Sequence, residues 1–302
     1  MTIQQPVRRE LDGSRLGHNG IFQAIGLLIS AWIGVLVGAV LMAATGIGII
    51  GTVGLLTSGI WAVPLFGFVF AAVGVSRARD SAIRQTSTDI LPADHPLART
   101  VITLASTLGL PAPLVGIYPD DDLNAFAAGS KPTKAVVSFS KGLTERMPPR
   151  EIIAIAAHEV AHIANRDMRR MQFATSFQNA LTWYFGWTNR GQMLARWLLS
   201  TGGELIVLRL SRKREYWADA TAAALVGKDA MISALRTLNG DPVKPTAERL
   251  AYARLMIRAN PRTWFSTHPS IADRITAIEK ETYMRRLPYK TQQERPANRP
   301  AV

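Results

Sequence analysis

His158-Glu159-Val160-Ala161-His162 sets two imidazoles four residues apart with a carboxylate beside the first. On a helix, residues four apart share a face, so both histidines can reach one metal ion, with Glu159 placed to take a proton from a water at that metal. With five His and ten Glu in 302 residues, such a pattern arises by chance only about 0.003 times in a chain of this composition, which disfavours two merely satisfied polar histidines on an amphipathic helix. The chemistry indicated is zinc-assisted peptide hydrolysis. A catalytic zinc takes three protein ligands and keeps a fourth position open, and this helix supplies two. Downstream, Ser211-Arg212-Lys213-Arg214-Glu215-Tyr216-Trp217-Ala218-Asp219 again places two carboxylates four apart. Glu215 is the natural third ligand, and Asp219 can orient a ligand histidine by accepting its other ring N–H. Alone, Glu215 would better suit a solvated carboxylate paired with neighbouring arginines; the histidines upstream reverse that preference in favour of the ligand.

Several elements must position these groups. Apolar residues at Ile152, Ile153, Ile155, Ala156, Val160 and Ile163, after Pro148-Pro149, predict one helix from Arg150 to Met168. A helix near Pro96 to Leu108 precedes strand-like Leu114 to Tyr118, Asn124 to Ala128 and Ala135 to Ser138, with Gly129-Ser130-Lys131-Pro132 as a turn signal. Helices are expected at Ser211 to Leu225, Lys228 to Leu238 and Ile271 to Met284. The expected fold is an α+β zinc metallopeptidase domain, mostly helical with a small mixed sheet, over 76–287. It is fused to an N-terminal transmembrane helical hairpin.

That hairpin follows from composition. No charged residue occurs from Ile21 to Val75, and one bilayer crossing needs about 20 apolar residues, so the stretch holds two spans. They run from about Ile21 to Ala44 and Ile49 to Val75, with break signals at Ala43-Ala44-Thr45-Gly46 and Pro64 as a kink. The apolar run exceeds a cleaved signal sequence, so the first span is an uncleaved anchor after a cytosolic segment, 1–20. Arg8, Arg9 and Arg15 precede the hairpin and Arg77, Arg79 and Arg84 follow it, which puts both ends and the catalytic domain in the cytosol. The expected location is therefore the inner (plasma) membrane, with a multi-pass anchor.

Together the motifs resemble the HtpX-type membrane-bound zinc endopeptidases, which share a metallopeptidase core with the CAAX prenyl endopeptidases. The similarity runs through Val115 to Tyr118, Asn124 to Ala127, His158 to Met168, Ser211 to Asp219, Thr267-His268-Pro269-Ser270 and Arg274, and covers roughly residues 20 to 280. The resemblance implies that His158, His162 and Glu215 bind zinc, that Glu159 is the general base and that Asp219 is the supporting carboxylate. It further implies that His268 stabilises the oxyanion, and that Asn124, Ala125, Phe126 and Ala127 form the edge strand along which substrate backbone lies. Unfolded or damaged membrane proteins become the expected substrates, and protein quality control under stress the expected role. A dedicated processing protease with one partner, or a silent scaffold of the same fold, are the alternatives; an intact Glu159 argues against the scaffold.

One stretch departs from the family pattern. Where relatives carry two further hydrophobic helices, Met171 to Asn189 includes Gln178 and Asn179, and Gly191 to Leu210 contains Arg196, Glu204 and Arg209. Trp183, Tyr184, Trp187 and Trp197 bracket the intervening turn, which suits either a hairpin tip at the membrane interface or aromatics packed on the soluble domain. A formal charge of +13 without any nucleic-acid-binding module points to anionic lipid headgroups rather than nucleic acid. No cysteine is present, so no disulfide framework argues for an oxidising compartment. The tail 288–302, rich in Pro, Gln, Asn and Arg, is expected to be disordered.

Overall fold

The computed structural model describes residues 10–16, 48–170, 212–240 and 269–290, and the single positions 25, 28, 29, 32, 36, 172, 173, 176 and 177. Between 48 and 63, side chains are described only at 53, 57, 61 and 62.

Four strands form the sheet: β1 (Asp89–Ile90), β2 (Leu114–Tyr118), β3 (Ala125–Lys131) and β4 (Lys134–Ser140), in the order β1-β2-β4-β3. β2 lies parallel to β4, with Gly116 opposite Ser138, while β3 pairs antiparallel with β4, Ala127 opposite Val137. The hairpin is longer than Gly129-Ser130-Lys131-Pro132 suggested, because Lys131 still pairs with Lys134 and only Pro132-Thr133 turn. Gly129 instead marks a register shift: at φ 156° its missing Cβ would collide with the Lys134 carbonyl oxygen.

Side chains alternate across the sheet as a pleated strand requires. Phe126, Ala128, Val136 and Tyr118 pack with Ala82 of α2 (Ala78–Gln85) on one face. Val115, Ala125, Ala127, Val137 and Phe139 enter the larger core on the other, beneath α3 (Pro96–Thr107) and α5 (Pro149–Ala164). His95 starts α3 by accepting the Leu97 N–H at Nδ1, and Ser140 caps the short α4 (Lys141–Arg146) by accepting from Leu143. Outside α5 lie α6 (212–226), α7 (Lys228–Gly240) and α8 (Ile271–Glu279).

The helix bearing His158 and His162 is shorter than the predicted Arg150 to Met168. α5 stops at Asn165, Arg166 takes a left-handed φ of 59°, and a new helical segment begins at Asp167.

α1 (Gly48–Ser76) is a 29-residue uncharged helix containing Pro64, close to the expected second span. Among the described residues no helix is long and apolar enough to cross a membrane. Trp61, Leu65, Val69 and Val73 are nonetheless exposed at four-residue intervals along it. Phe68 meets Phe173 and Phe177, ring centroids 5.5 and 5.2 Å away, so the chain after α5 runs against α1.

Residues 10–16 were expected only to precede a membrane anchor, yet they join the larger hydrophobic core. Leu11 and Leu16 are buried in that core, and Gly13 lies against the Leu108 carbonyl oxygen. Lys290 donates its backbone N–H to the Glu10 carbonyl (2.8 Å) and Asp12 donates to the Pro288 carbonyl (2.7 Å). Pro288 to Lys290, expected at the start of a disordered tail, are therefore ordered by backbone pairing; 291–302 lie outside the described residues.

Candidate metal centre

α5 carries its polar site on a face buried by its own small residues. Ala154, Ala156, Ala157 and Ala161 let the helix approach its neighbours closely, and His158, Glu159 and His162 are drawn inside with them. α6 brings Glu215 and Asp219 against that face, and α8 brings Arg274 beneath it. His158, Glu159, Glu215, Asp219 and Arg274 are each at most 2% exposed.

The histidines meet edge to face, with Nε2 atoms 3.1 Å apart. Glu215 Oε2 lies 3.5 Å from His158 Nε2, and Oε1 lies 3.5 Å from His162 Nε2. One ligand atom from each of His158, His162 and Glu215 falls within 4.8 Å of the others. Behind the rings, His158 Nδ1 sits 2.9 Å from Asp219 Oδ1, poorly aligned for a hydrogen bond, and His162 Nδ1 sits 3.1 Å from Asp167 Oδ2. Each ring thus has a carboxylate beside Nδ1, and the neutral tautomer protonated there would present both Nε2 lone pairs toward Glu215. Acceptors converging at such distances in a dry interior repel one another unless a cation stands between them. The donor set thus fits a divalent metal, and two imidazoles with one carboxylate suit zinc.

The electrostatics agree. Burial alone would push His158 down, but the carboxylates of Asp219 and Glu215 outweigh it and hold its pKa at about 9, so a proton fills the cationic part in the bare protein. Burial pushes Glu159 upward, against the opposing charges of His162 and His158. Asp219 stays below the usual carboxylate range despite burial, because Arg274 donates to it twice, from Nε (2.8 Å) and Nη2 (2.6 Å). Arg274 also stands 3.8 Å from Glu215, and Arg214 Nε 3.4 Å from the same carboxylate.

His158, Glu159, His162, Glu215 and Asp219 are thus brought together, whereas His268 lies outside the described residues. Ala125 to Ala127 belong to the outermost strand, packed against α5, and Asn124, expected in that strand, immediately precedes it. Ser140 donates its N–H to the Asn124 carbonyl, so by antiparallel alternation the backbone groups of Ala125 and Ala127 point away from β4. Ala125 already donates its N–H to Asn124 Oδ1 (2.9 Å), and all four residues are buried, with Ala127 the most exposed of them at 8%. Sequence reasoning gave no role to Asp167 or Arg274. Both stood in matching motifs, Asp167 within the helix expected from Arg150 to Met168, but neither contact has a local spacing rule.

Residues 92–282 match the profile of peptidase family M48. A protease HtpX of Idiomarina loihiensis is 34% identical over 266 residues, spanning 80% of this chain and 91% of that one. A protease HtpX homolog of Bacillus licheniformis is 35% identical over 206 residues, 62% of this chain and 69% of its own. Among solved structures, Ste24p of S. mikatae superposes with a TM-score of 0.51 at 19% identity, covering 83% of this chain and 67% of that chain, a likeness of fold.

Proposed function

Because the chain belongs to peptidase family M48 and is a metalloprotease, we propose that it is an integral membrane zinc endopeptidase in which His158, His162 and Glu215 hold the metal and Glu159 is the general base. The convergence of three buried ligand groups beside a buried Glu159 is the observation that carries this reading. When bound, zinc polarises the scissile carbonyl and makes a water nucleophilic near neutral pH. Glu159 takes the proton from that water and passes it to the departing amine. Its burial raises the carboxylate's basicity toward the working pH, as general-base catalysis favours. Asp219, fixed by Arg274, holds His158 in the tautomer that presents Nε2.

We assign His268 to the oxyanion. Ser270, two residues on, caps α8 by accepting the Asp273 N–H (3.1 Å), and Arg274 ties that helix to Asp219 beside His158, so the segment after the motif docks at the ligand cluster. Substrate backbone extends along β3, where the outward groups of Ala127 can pair with it. Such pairing suits unfolded segments of many proteins, consistent with a quality-control role.

The hairpin 21–75 anchors the enzyme. The exposed stripe Trp61, Leu65, Val69 and Val73, with Ile25, Ile29, Trp32 and Leu36, suits contact with lipid. Residues 10–16 and the chain after Ser76 both join the catalytic core, which supports an even number of crossings between them, and the flanking arginines favour the cytosolic side. A Cβ on Gly67 would meet the Phe177 ring at 2.6 Å, so α1 and the chain after α5 touch closely; this supports placing the start of 171–210 in the membrane beside α1.

Metal content and casein cleavage by the detergent-solubilised chain test the proposal. About one zinc per chain, with cleavage abolished by a chelator and restored by zinc, is expected. Cleavage that persists after complete metal removal would overturn it.

A further inference from the structure

Resting on the metal-site reading above, we infer that Asp167 is the positioning residue for His162, brought into place by the left-handed turn at Arg166. Residues five apart on a continuous helix point well away from each other, since each step turns the chain by about 100°. A helix running unbroken through Met168 would therefore separate His162 from Asp167. The break makes the contact. Asn165 closes α5 by donating its N–H to the Ala161 carbonyl (2.9 Å), Arg166 turns at φ 59°, and Asp167 swings back to set Oδ2 3.1 Å from His162 Nδ1.

Two further observations favour a purpose for this geometry. A non-glycine residue seldom adopts the left-handed conformation, and where it does the surroundings hold it there, often at functional sites. Asp167 is also only 5% exposed, and a buried carboxylate is costly without a hydrogen-bonding partner. The two ligand histidines are then held in different ways. His158 leans on Asp219, which arrives from another helix and is itself held by Arg274, whereas His162 leans on a carboxylate only five residues further along the sequence. The local support fixes the tautomer and ring angle of His162 without depending on how α6 and α8 dock.

The experiment compares the full-length chain in detergent with Asp167→Ala, Asp167→Asn and Arg166→Gly, using His162→Ala as the reference for loss of a ligand. Zinc affinity is read by competition with a chromophoric chelator, and ligand geometry by the visible spectrum after cobalt replacement. Asp167→Ala should bind zinc roughly 10–100-fold more weakly, the usual cost of removing a carboxylate behind a metal-bound histidine. Its kcat should fall with KM little changed. Asp167→Asn, whose amide oxygen still accepts the Nδ1 proton, should recover most of the affinity while displacing the cobalt band, because an amide is the weaker acceptor. Arg166→Gly, which adopts the same turn without penalty, should leave zinc affinity at the wild-type level. Wild-type affinity and spectrum in Asp167→Ala would overturn the inference, and so would Asp167→Asn as weak as Asp167→Ala. Should Asp167→Ala fail to fold, an unmoved cobalt band in the isosteric Asn variant overturns it equally. If His162→Ala bound zinc as tightly as wild type, the metal-site reading itself would fall instead.

Discussion

Removing the Arg274 side chain should be among the most damaging single changes in the catalytic domain. The guanidinium is 1% exposed and donates to both oxygens of Asp219 at 2.8 and 2.6 Å, with Glu215 3.8 Å away. Arg274→Met leaves Asp219 in a dry interior without its guanidinium partner, while Glu215 keeps Arg214 at 3.4 Å, and breaking a buried pair on one side typically costs about 3–5 kcal/mol. For a domain of this size a loss of 1 kcal/mol lowers Tm by about 2–4 °C, so the variant should melt roughly 6–20 °C below wild type when metal is stripped from both. Replacing both partners is different in kind. In Arg274→Met/Asp219→Leu no unpaired charge remains, and apolar groups of similar volume are often tolerated, so most of the lost stability should return. Zinc affinity should not return, because His158 has lost the carboxylate that orients it, at a cost of about 10–100-fold. Tryptophan fluorescence melting with chelator titration separates the two effects. An Arg274→Met chain within about 0.5 kcal/mol of wild type, or a double variant as unstable as the single, would refute the reasoning.

Stability of the metal-stripped protein should depend on pH through His158, whose folded pKa of about 9 lies above the roughly 6.5 of an unfolded histidine. That raised value contributes about 3 kcal/mol, fully present below about pH 6.5 and lost as pH rises through the folded pKa; a flat denaturation midpoint between these limits, or the same slope in zinc-loaded protein, would contradict it. Ala127→Pro, which removes an N–H directed away from β4, should reduce casein cleavage several-fold with zinc content intact, and wild-type cleavage would exclude β3 as the docking strand. Leu65→Asp, on the exposed stripe of α1, should lower retention in membranes resistant to alkaline extraction, since a carboxylate near a span's centre costs about 2.5–3.5 kcal/mol; full retention would remove that face from lipid.

The parts of the site that sequence made legible share one helix each. His158 with His162, and Glu215 with Asp219, are four apart, so helical periodicity alone sets them on common faces. What remained illegible depends on breaks and long-range docking. Arg166 carries no glycine or proline signal, so the apolar period ran through it and hid the Asp167 contact. Arg274 reaches Asp219 across 55 residues, a pairing decided by how α8 docks on α6. Gly129 looked like a turn because its freedom at positive φ serves a bulge equally well. The two residues of β1 are too few for alternation to show, and the pairing of Leu11 with Tyr289 joins opposite ends of the chain.

Glu159→Gln tests the central claim most directly. Gln keeps the size of the side chain and removes only its basicity, and Glu159 is not among the three groups that converge as ligands. Zinc content and casein hydrolysis should be measured on the same preparation of variant and wild type. The variant should hold about one zinc per chain with the wild-type affinity and lose nearly all hydrolysis. Hydrolysis at the wild-type rate would contradict the assigned base, and loss of the zinc itself would place Glu159 among the ligands instead.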